Sequence, residues 1–166
     1  MSFEIVHLAD RPELAETLAD ALTLEWPEWY GRIGREAAVA EMRERAQRDA
    51  IPLGLVALED GQLVGTAALN PSSIPTHPHL TPWLGGLWVA PAARGRGLGE
   101  ALVGACRAEA ARLGFERLYA ATATARSLFL RDGWEEMETV TLDAHPGELI
   151  AVFRYELPAQ DAPRPA

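Results

Sequence analysis

Apolar positions along the chain alternate between short strand-like runs and helical stripes, and their order predicts about seven strands and four helices. Residues 3–8 alternate loosely and suit a first strand. Asp10-Arg11-Pro12-Glu13 reads as a helix start, with Asp10 placed to cap, Pro12 in the first turn and Glu13 at the capping-box position. Leu14, Leu18 and Leu22 then repeat at i, i+4 and i+8, which gives one buried stripe that ends near Trp26-Pro27. Residues 34–50 suit a second helix, with Val39, Met42 and Ala46 on one face and Arg and Glu on the other. Two apolar runs, 52–58 and 63–69, flank Glu59-Asp60-Gly61-Gln62 and read as a hairpin. A long loop with four prolines, His77 and His79 occupies 70–82, and a strand follows at 84–89. Residues 98–113 form a further helical pattern, with Leu98, Leu102, Ala105/Cys106 and Leu113 inward and Gly114 just past its end. A strand at 116–122, a short helix at 123–131 and a hairpin of 137–142 with 149–157, turning at Ala144-His145-Pro146-Gly147, complete the pattern.

The densest chemistry lies at 84–99, LGGLWVAPAARGRGLG. An apolar run ends at Ala90-Pro91, because proline gives a sheet ladder no amide proton. Arg94, Gly95, Arg96, Gly97 and Gly99 follow, and strong helix formers begin at Glu100. A glycine-rich turn at a helix N-terminus leaves backbone N–H groups unpaired where the helix dipole also favours negative charge. This is a phosphate-binding arrangement. A Rossmann G-x-G-x-x-G starting at Gly95 or Gly97 would need glycine at Glu100 or Leu102, and a Walker loop would need Lys and Ser/Thr where Glu100 and Ala101 stand.

What does fit is Arg94-x-x-Gly97-x-Gly99, preceded by a strand ending Val89-Ala90-Pro91 and followed by Phe129-x-x-x-Gly133-Trp134. This resembles the Q/R-x-x-G-x-G/A signature of the GCN5-related N-acetyltransferases, the GNAT superfamily. The resemblance covers nearly everything before residue 158 and implies an α/β fold with a mixed, mostly antiparallel sheet, splayed between its fourth and fifth strands. It further implies acetyl-CoA as co-substrate, with its pantetheine arm in the gap. Main-chain N–H groups of Leu87, Trp88 and Val89 would face the thioester, and those of Gly95, Arg96, Gly97, Leu98, Gly99 and Glu100 would hold the pyrophosphate, with Arg94 at the motif's first position.

The family's last helix commonly carries a Tyr that protonates the departing thiolate; here that position is Phe129, which can pack on the thioether end but has no proton to give. The nearest hydroxyl in sequence is Ser127, with Tyr30 and Tyr119 as spatial alternatives. The base is open among Glu25, Glu28, His77 and His79, histidine being suited by its titration near neutrality. The acceptor side falls to the aromatic segment around Trp26, Trp29 and Tyr30, together with Trp83, although loop tryptophans also pack simply on a core. The reading is an N-acetyltransferase acting on a small amine or a peptide N-terminus. A non-catalytic acyl-CoA-binding module is the alternative.

Length and composition narrow this further. The 166 residues suit one domain, 1–157, with a Pro/Ala tail at 158–166. Hydrophobic content of 48% with 23% charged residues is that of a globular chain. A net charge of −9 disfavours nucleic acid, and all 15 basic side chains are arginine, a bias that hints at a GC-rich bacterial source. No apolar run reaches the roughly 18 residues of a membrane span, and the N-terminus carries no signal-peptide pattern. The single cysteine, Cys106, reads as a small buried residue, and a cytoplasmic location is expected. His77-x-His79 lacks a third ligand, so no metal is expected. A homodimer is left open.

Overall fold

The computed structural model describes residues 2–158. Its centre is one seven-stranded sheet in the order β1-β2-β3-β4-β5-β7-β6, formed by β1 (Glu4–His7), β2 (Leu53–Glu59), β3 (Gln62–Asn70), β4 (Trp83–Val89), β5 (Arg117–Thr122), β6 (Glu135–Leu142) and β7 (His145–Glu156). Every pairing is antiparallel except β4 with β5. The helices α1 (Ala15–Glu25) and α2 (Arg35–Glu44) cover one face, and α3 (Leu98–Arg112) and α4 (Arg126–Arg131) the other. The long apolar runs follow from this double cover, since β2 is buried on both faces from Leu53 to Leu58.

Three apolar clusters result. Leu98, Leu102, Val103 and Cys106 of α3 pack with Leu55, Leu69 and Phe153 of the sheet. The stripe of Leu18 and Leu22 meets Val39 and Met42 of α2 over Val56. The 71–82 loop caps the remaining sheet face through Ile74, over Trp83, Tyr119 and Val152.

Two irregularities in β4 create the cleft. Thr66 pairs with Trp88 and Ala68 with Gly85, so β4 carries one residue more than β3 over this interval. The extra residue is absorbed at Gly86, whose φ of +60° is left-handed and suits glycine. The parallel pairing with β5 extends only over Trp83↔Tyr119 and Leu84↔Ala120. Beyond Leu84 the strands part, which is the expected splay.

Some boundaries differ from expectation. The second helix stops at Glu44 instead of reaching 50, because the Arg45 carbonyl leaves the helical ladder to accept the Gly54 amide at 2.8 Å. Asp10 does not cap α1; it pairs with Arg48, and the chain enters the helix through a 3₁₀ turn, Pro12–Leu14, with no side-chain cap. The last hairpin turns earlier than expected. Leu142 pairs with His145, so the turn is Asp143-Ala144, and Pro146 and Gly147 already belong to β7. A short π-helix, Pro27–Gly31, occupies the aromatic segment. Apart from Pro158, the expected tail lies outside the described residues.

Candidate active site

The loop after β4 runs through a 3₁₀ turn, Pro91–Ala93, into Arg94-Gly95-Arg96-Gly97 and then α3. Gly95 and Gly97 have φ of +77° and +80°, and a Cβ on Gly95 would meet nothing within 4 Å. Gly97 is the N-cap of α3, and no side chain caps the helix. The first-turn N–H groups therefore face outward beside an open groove of about 560 Å³. Val89, Arg94, Gly97 and Gly99 line one side of it, Leu128 and Arg131 of α4 the other. A diphosphate suits this cradle, which offers unpaired amides, a helix N-terminus and two arginines.

Those arginines are held by exchangeable partners. Arg94 donates from Nε to the Val89 carbonyl (2.9 Å) and lies 3.5 Å from Glu25 Oε1 through Nη2. Arg131 donates to Glu100 Oε1 at 3.0 Å. All four side chains are well exposed, so each pair contributes little stability and yields readily to a phosphate. Arg131 was not legible as a site residue. Its only signal was the i+3 spacing from Leu128 on a helix already marked by Phe129.

Arg96 points elsewhere. Its guanidinium makes two bonds to Glu59 (2.9 and 3.3 Å) and lies 4.9 Å from the Phe3 ring centroid, tying the loop to the end of β2. Only its backbone remains for a ligand. Leu87 packs toward α3 and Trp88 toward α1 and α2, and neither backbone pairs with β5.

Phe129 is a correction. It is 2% exposed, with its ring edge-on to Trp134 (5.0 Å) and stacked on Phe153 (5.3 Å), so it serves the core and not the groove. The α4 turn gives the groove Leu128 and Arg131 instead, and Ser127 is exposed outside it. Trp83 is likewise removed from the acceptor side: it is fully buried, its indole N–H bonds the Leu80 carbonyl at 2.7 Å, and its ring packs on Tyr119. Both corrections have one cause, since aromatic side chains at strand and helix positions facing a sheet are drawn into its core.

The other expected residues divide into two places. Trp26 and Tyr30 are half-buried against α1 and α2, whereas Trp29 is 49% exposed and stacks on His145 (4.8 Å between centroids). His145 Nδ1 lies 3.2 Å from Glu28 and 3.8 Å from Glu148, so the tip of the last hairpin leans on the π-helix. Glu28, Arg32, His145 and Glu148 border a second cavity of about 340 Å³. Sequence reasoning placed His145 in a turn and gave it no role, because its partner lies 117 positions away. His77 is fully engaged, between Thr76 Oγ1 (2.7 Å) and Glu138 Oε1 (2.5 Å), and pins the 71–82 loop to β6. His79 is exposed beside it and borders neither cavity. Among the described residues no cluster of His, Cys, Asp or Glu has the makings of a metal site, and no helix is long and apolar enough to cross a membrane.

A mixed sheet opening after its fourth strand onto a glycine-rich helix start defines an acyl-CoA transferase fold. The profile of the Acetyltransferase (GNAT) family matches residues 16–134, and the chain belongs to that family, whose enzymes use acetyl-CoA as co-substrate. Solved structures agree on the fold. An aminoglycoside 6'-N-acetyltransferase complexed with coenzyme A is 19% identical over all of both chains, with a TM-score of 0.73. The aminoglycoside 6'-N-acetyltransferase from Enterococcus faecium is 18% identical over all of both chains, with a TM-score of 0.71. The yncA protein of Salmonella typhimurium with its cofactor acetyl-CoA is 19% identical, covering 100% of this chain and 99% of its own, with a TM-score of 0.68. A search of curated proteins found no match.

Proposed function

We propose that the protein transfers an acetyl group from acetyl-CoA to a primary amine by direct attack. The observation that carries this reading is the groove between β4 and α4, closed at one end by the uncapped start of α3. The backbone of Gly95–Glu100, with Arg94 and Arg131, holds the pyrophosphate. The pantetheine arm lies along the opening between β4 and β5, and N–H groups beside the Gly86 bulge take the thioester oxygen as charge builds there.

The amine nitrogen then bonds to the acetyl carbon, the C–S bond breaks, and the thiol leaves with the proton that the amine gives up. No tyrosine hydroxyl stands at the motif position, and a thiol is a fair leaving group without one. Glu25 at the groove rim and the Glu28–His145 pair at the second cavity are the groups positioned to take a proton from the ammonium form. The carboxylates of that cavity also draw a cation toward the cleft. A lone buried cysteine suits the reducing cytoplasm, and the arginine-only basic residues suit a bacterial source.

Thiol release from acetyl-CoA, followed across a panel of primary amines and peptides with free N-termini, tests the reading. Amine-dependent release with a matching N-acetyl product by mass spectrometry is the expected result. Acetyl-CoA binding with no turnover on any amine would make the chain an acyl-CoA-binding module instead.

A further inference from the structure

Arg45 is one of three buried polar or charged residues among the described ones, and only 5% of it is exposed. Burying a guanidinium is expensive unless an anion neutralises it. Yet no carboxylate of the described residues lies within ion-pair distance of it. Its partners are neutral: Nη2 donates to the Tyr30 hydroxyl at 3.4 Å, and Nη1 approaches the Met42 sulfur at 3.7 Å. The end of α2 contributes only partial negative charge, and its Arg45 carbonyl is already taken by Gly54.

The position of this cation is informative. Nη1 lies 3.2 Å from where a Cβ on Gly86 would stand, so the guanidinium rests against the β4 bulge on the face covered by α1 and α2. The Asn70 side-chain amide comes 2.9 Å from the corresponding point on Gly85. Arg45, the Tyr30 hydroxyl and Asn70 therefore bring hydrogen-bonding groups to the glycine pair where the sheet opens. A Cβ on Gly85 would collide with Asn70 and one on Gly86 would press on Arg45, so both glycines let these polar groups stand against the β4 backbone.

We propose that Arg45 is the recognition group for a carboxylate on the molecule that reacts at the bulge. The inference rests on the acetyl-transfer reading above. Acetyl-CoA is read above into the groove beside α3 and α4, which leaves the α1–α2 side to the acceptor, so the favoured source is the acceptor itself, an α-amino acid whose amine sits beside its acid. An acyl-CoA with a carboxylate in its acyl group offers the same chemistry. A guanidinium bonded to a carboxylate at the reacting centre also disfavours polycationic acceptors, whose extra ammonium groups would face it.

The test compares free amino acids with their carboxamides, at saturating acetyl-CoA, in the wild-type protein and in Arg45→Met, which keeps an apolar stem. The amino acid should exceed its amide by about 100-fold or more in kcat/KM, as expected where a site's charged donor is left unpaired by the analogue. Arg45→Met should erase that ratio, chiefly through acceptor KM, with the KM for acetyl-CoA unchanged. Its melting temperature should stay level or rise, because an unpaired buried charge has been removed. Equal use of acid and amide by the wild type with no Arg45-dependent preference for succinyl-CoA, an equal loss on both in the variant, or a variant that melts markedly lower would each overturn the proposal. Succinyl-CoA with carboxylate-free amines forms the second arm: an Arg45-dependent preference for it over acetyl-CoA would support carboxylate recognition and move its source to the acyl group. Thermal shift with each amino acid in the presence of CoA reads Arg45 without turnover. Stabilisation of the wild type alone supports the proposal even if no amine is acetylated, an outcome that would sink the acetyl-transfer reading separately. No shift from any amino acid, and none from succinyl-CoA beyond that of acetyl-CoA, overturns it.

Discussion

Replacing Phe129 separates a core role from a cofactor role at the position where the motif resemblance leads one to expect a tyrosine. The ring is 2% exposed and held between Trp134 and Phe153. Phe129→Tyr adds a hydroxyl with no polar partner described beside it, a cost of about 1–3 kcal/mol. For a domain of this size each kcal/mol moves the melting temperature by roughly 2–4 °C, so the variant should melt roughly 2–12 °C lower. Phe129→Ala leaves a cavity costing about 3–5 kcal/mol, a fall of roughly 6–20 °C. Saturating acetyl-CoA provides the control, because a ligand at 100 times its Kd stabilises by about 2.7 kcal/mol if its contacts are intact. The ligand-induced increment should be the same in wild type and Phe129→Tyr when followed by circular dichroism, and thiol release should not quicken. A variant with wild-type stability, a smaller ligand increment and faster turnover would refute the core assignment and return Phe129 to the cofactor sulfur.

Gly97→Asp should abolish acetyl-CoA binding by calorimetry, since it places a carboxylate at the helix N-cap beside the groove and strains a φ of +80°; Arg94→Ala should weaken binding by about 1–3 kcal/mol while the fold is retained. Unchanged affinity in folded Gly97→Asp would overturn the site. Burial pushes the Cys106 thiol up to about 12 from its ordinary 9.0, so the native protein should not react with a disulfide reagent at neutral pH and should react once denatured. The raised value also fixes a sign: the contribution of this thiol to stability is intact below about pH 9 and is lost as pH climbs toward about 12, which alkaline denaturation of Cys106→Ala would reveal by a flatter curve. A native thiol that reacts at pH 7 would contradict its burial.

The strand-turn-helix at 84–99 was legible because its information is local: an apolar run, a proline stop and glycines at a helix start. The stripe of Leu18 and Leu22 and the 59–62 hairpin were legible for the same reason. Arg45 was not. In the sequence it closes Met42-Arg43-Glu44-Arg45, a stretch that reads as the solvated side of a helix, and only the early end of α2 turns it under the sheet. The Glu28–His145 contact joins segments at opposite ends of the chain, and no periodicity encodes such a pairing. Phe129 and Trp83 were misplaced toward the cleft because a motif position states where a residue stands along the chain, not which side of the sheet its ring takes.

The parting of β4 from β5 after Leu84 gives the protein two edges in the middle of its sheet, in addition to those at β1 and β6. Outer edges are commonly guarded by charge, as β6 is by Glu135, Glu136 and Glu138. The inner edge of β4, Gly85 to Val89, has no charged side chain of its own, and its glycines make it open to any extended backbone. This inner edge lies between α3 on one face of the sheet and the α1–α2 layer on the other, so it is flanked by helices where the outer edges are guarded by charge. An unpaired, uncharged and glycine-bearing edge of this kind is also the place where a partly unfolded copy of the chain would find a strand to join.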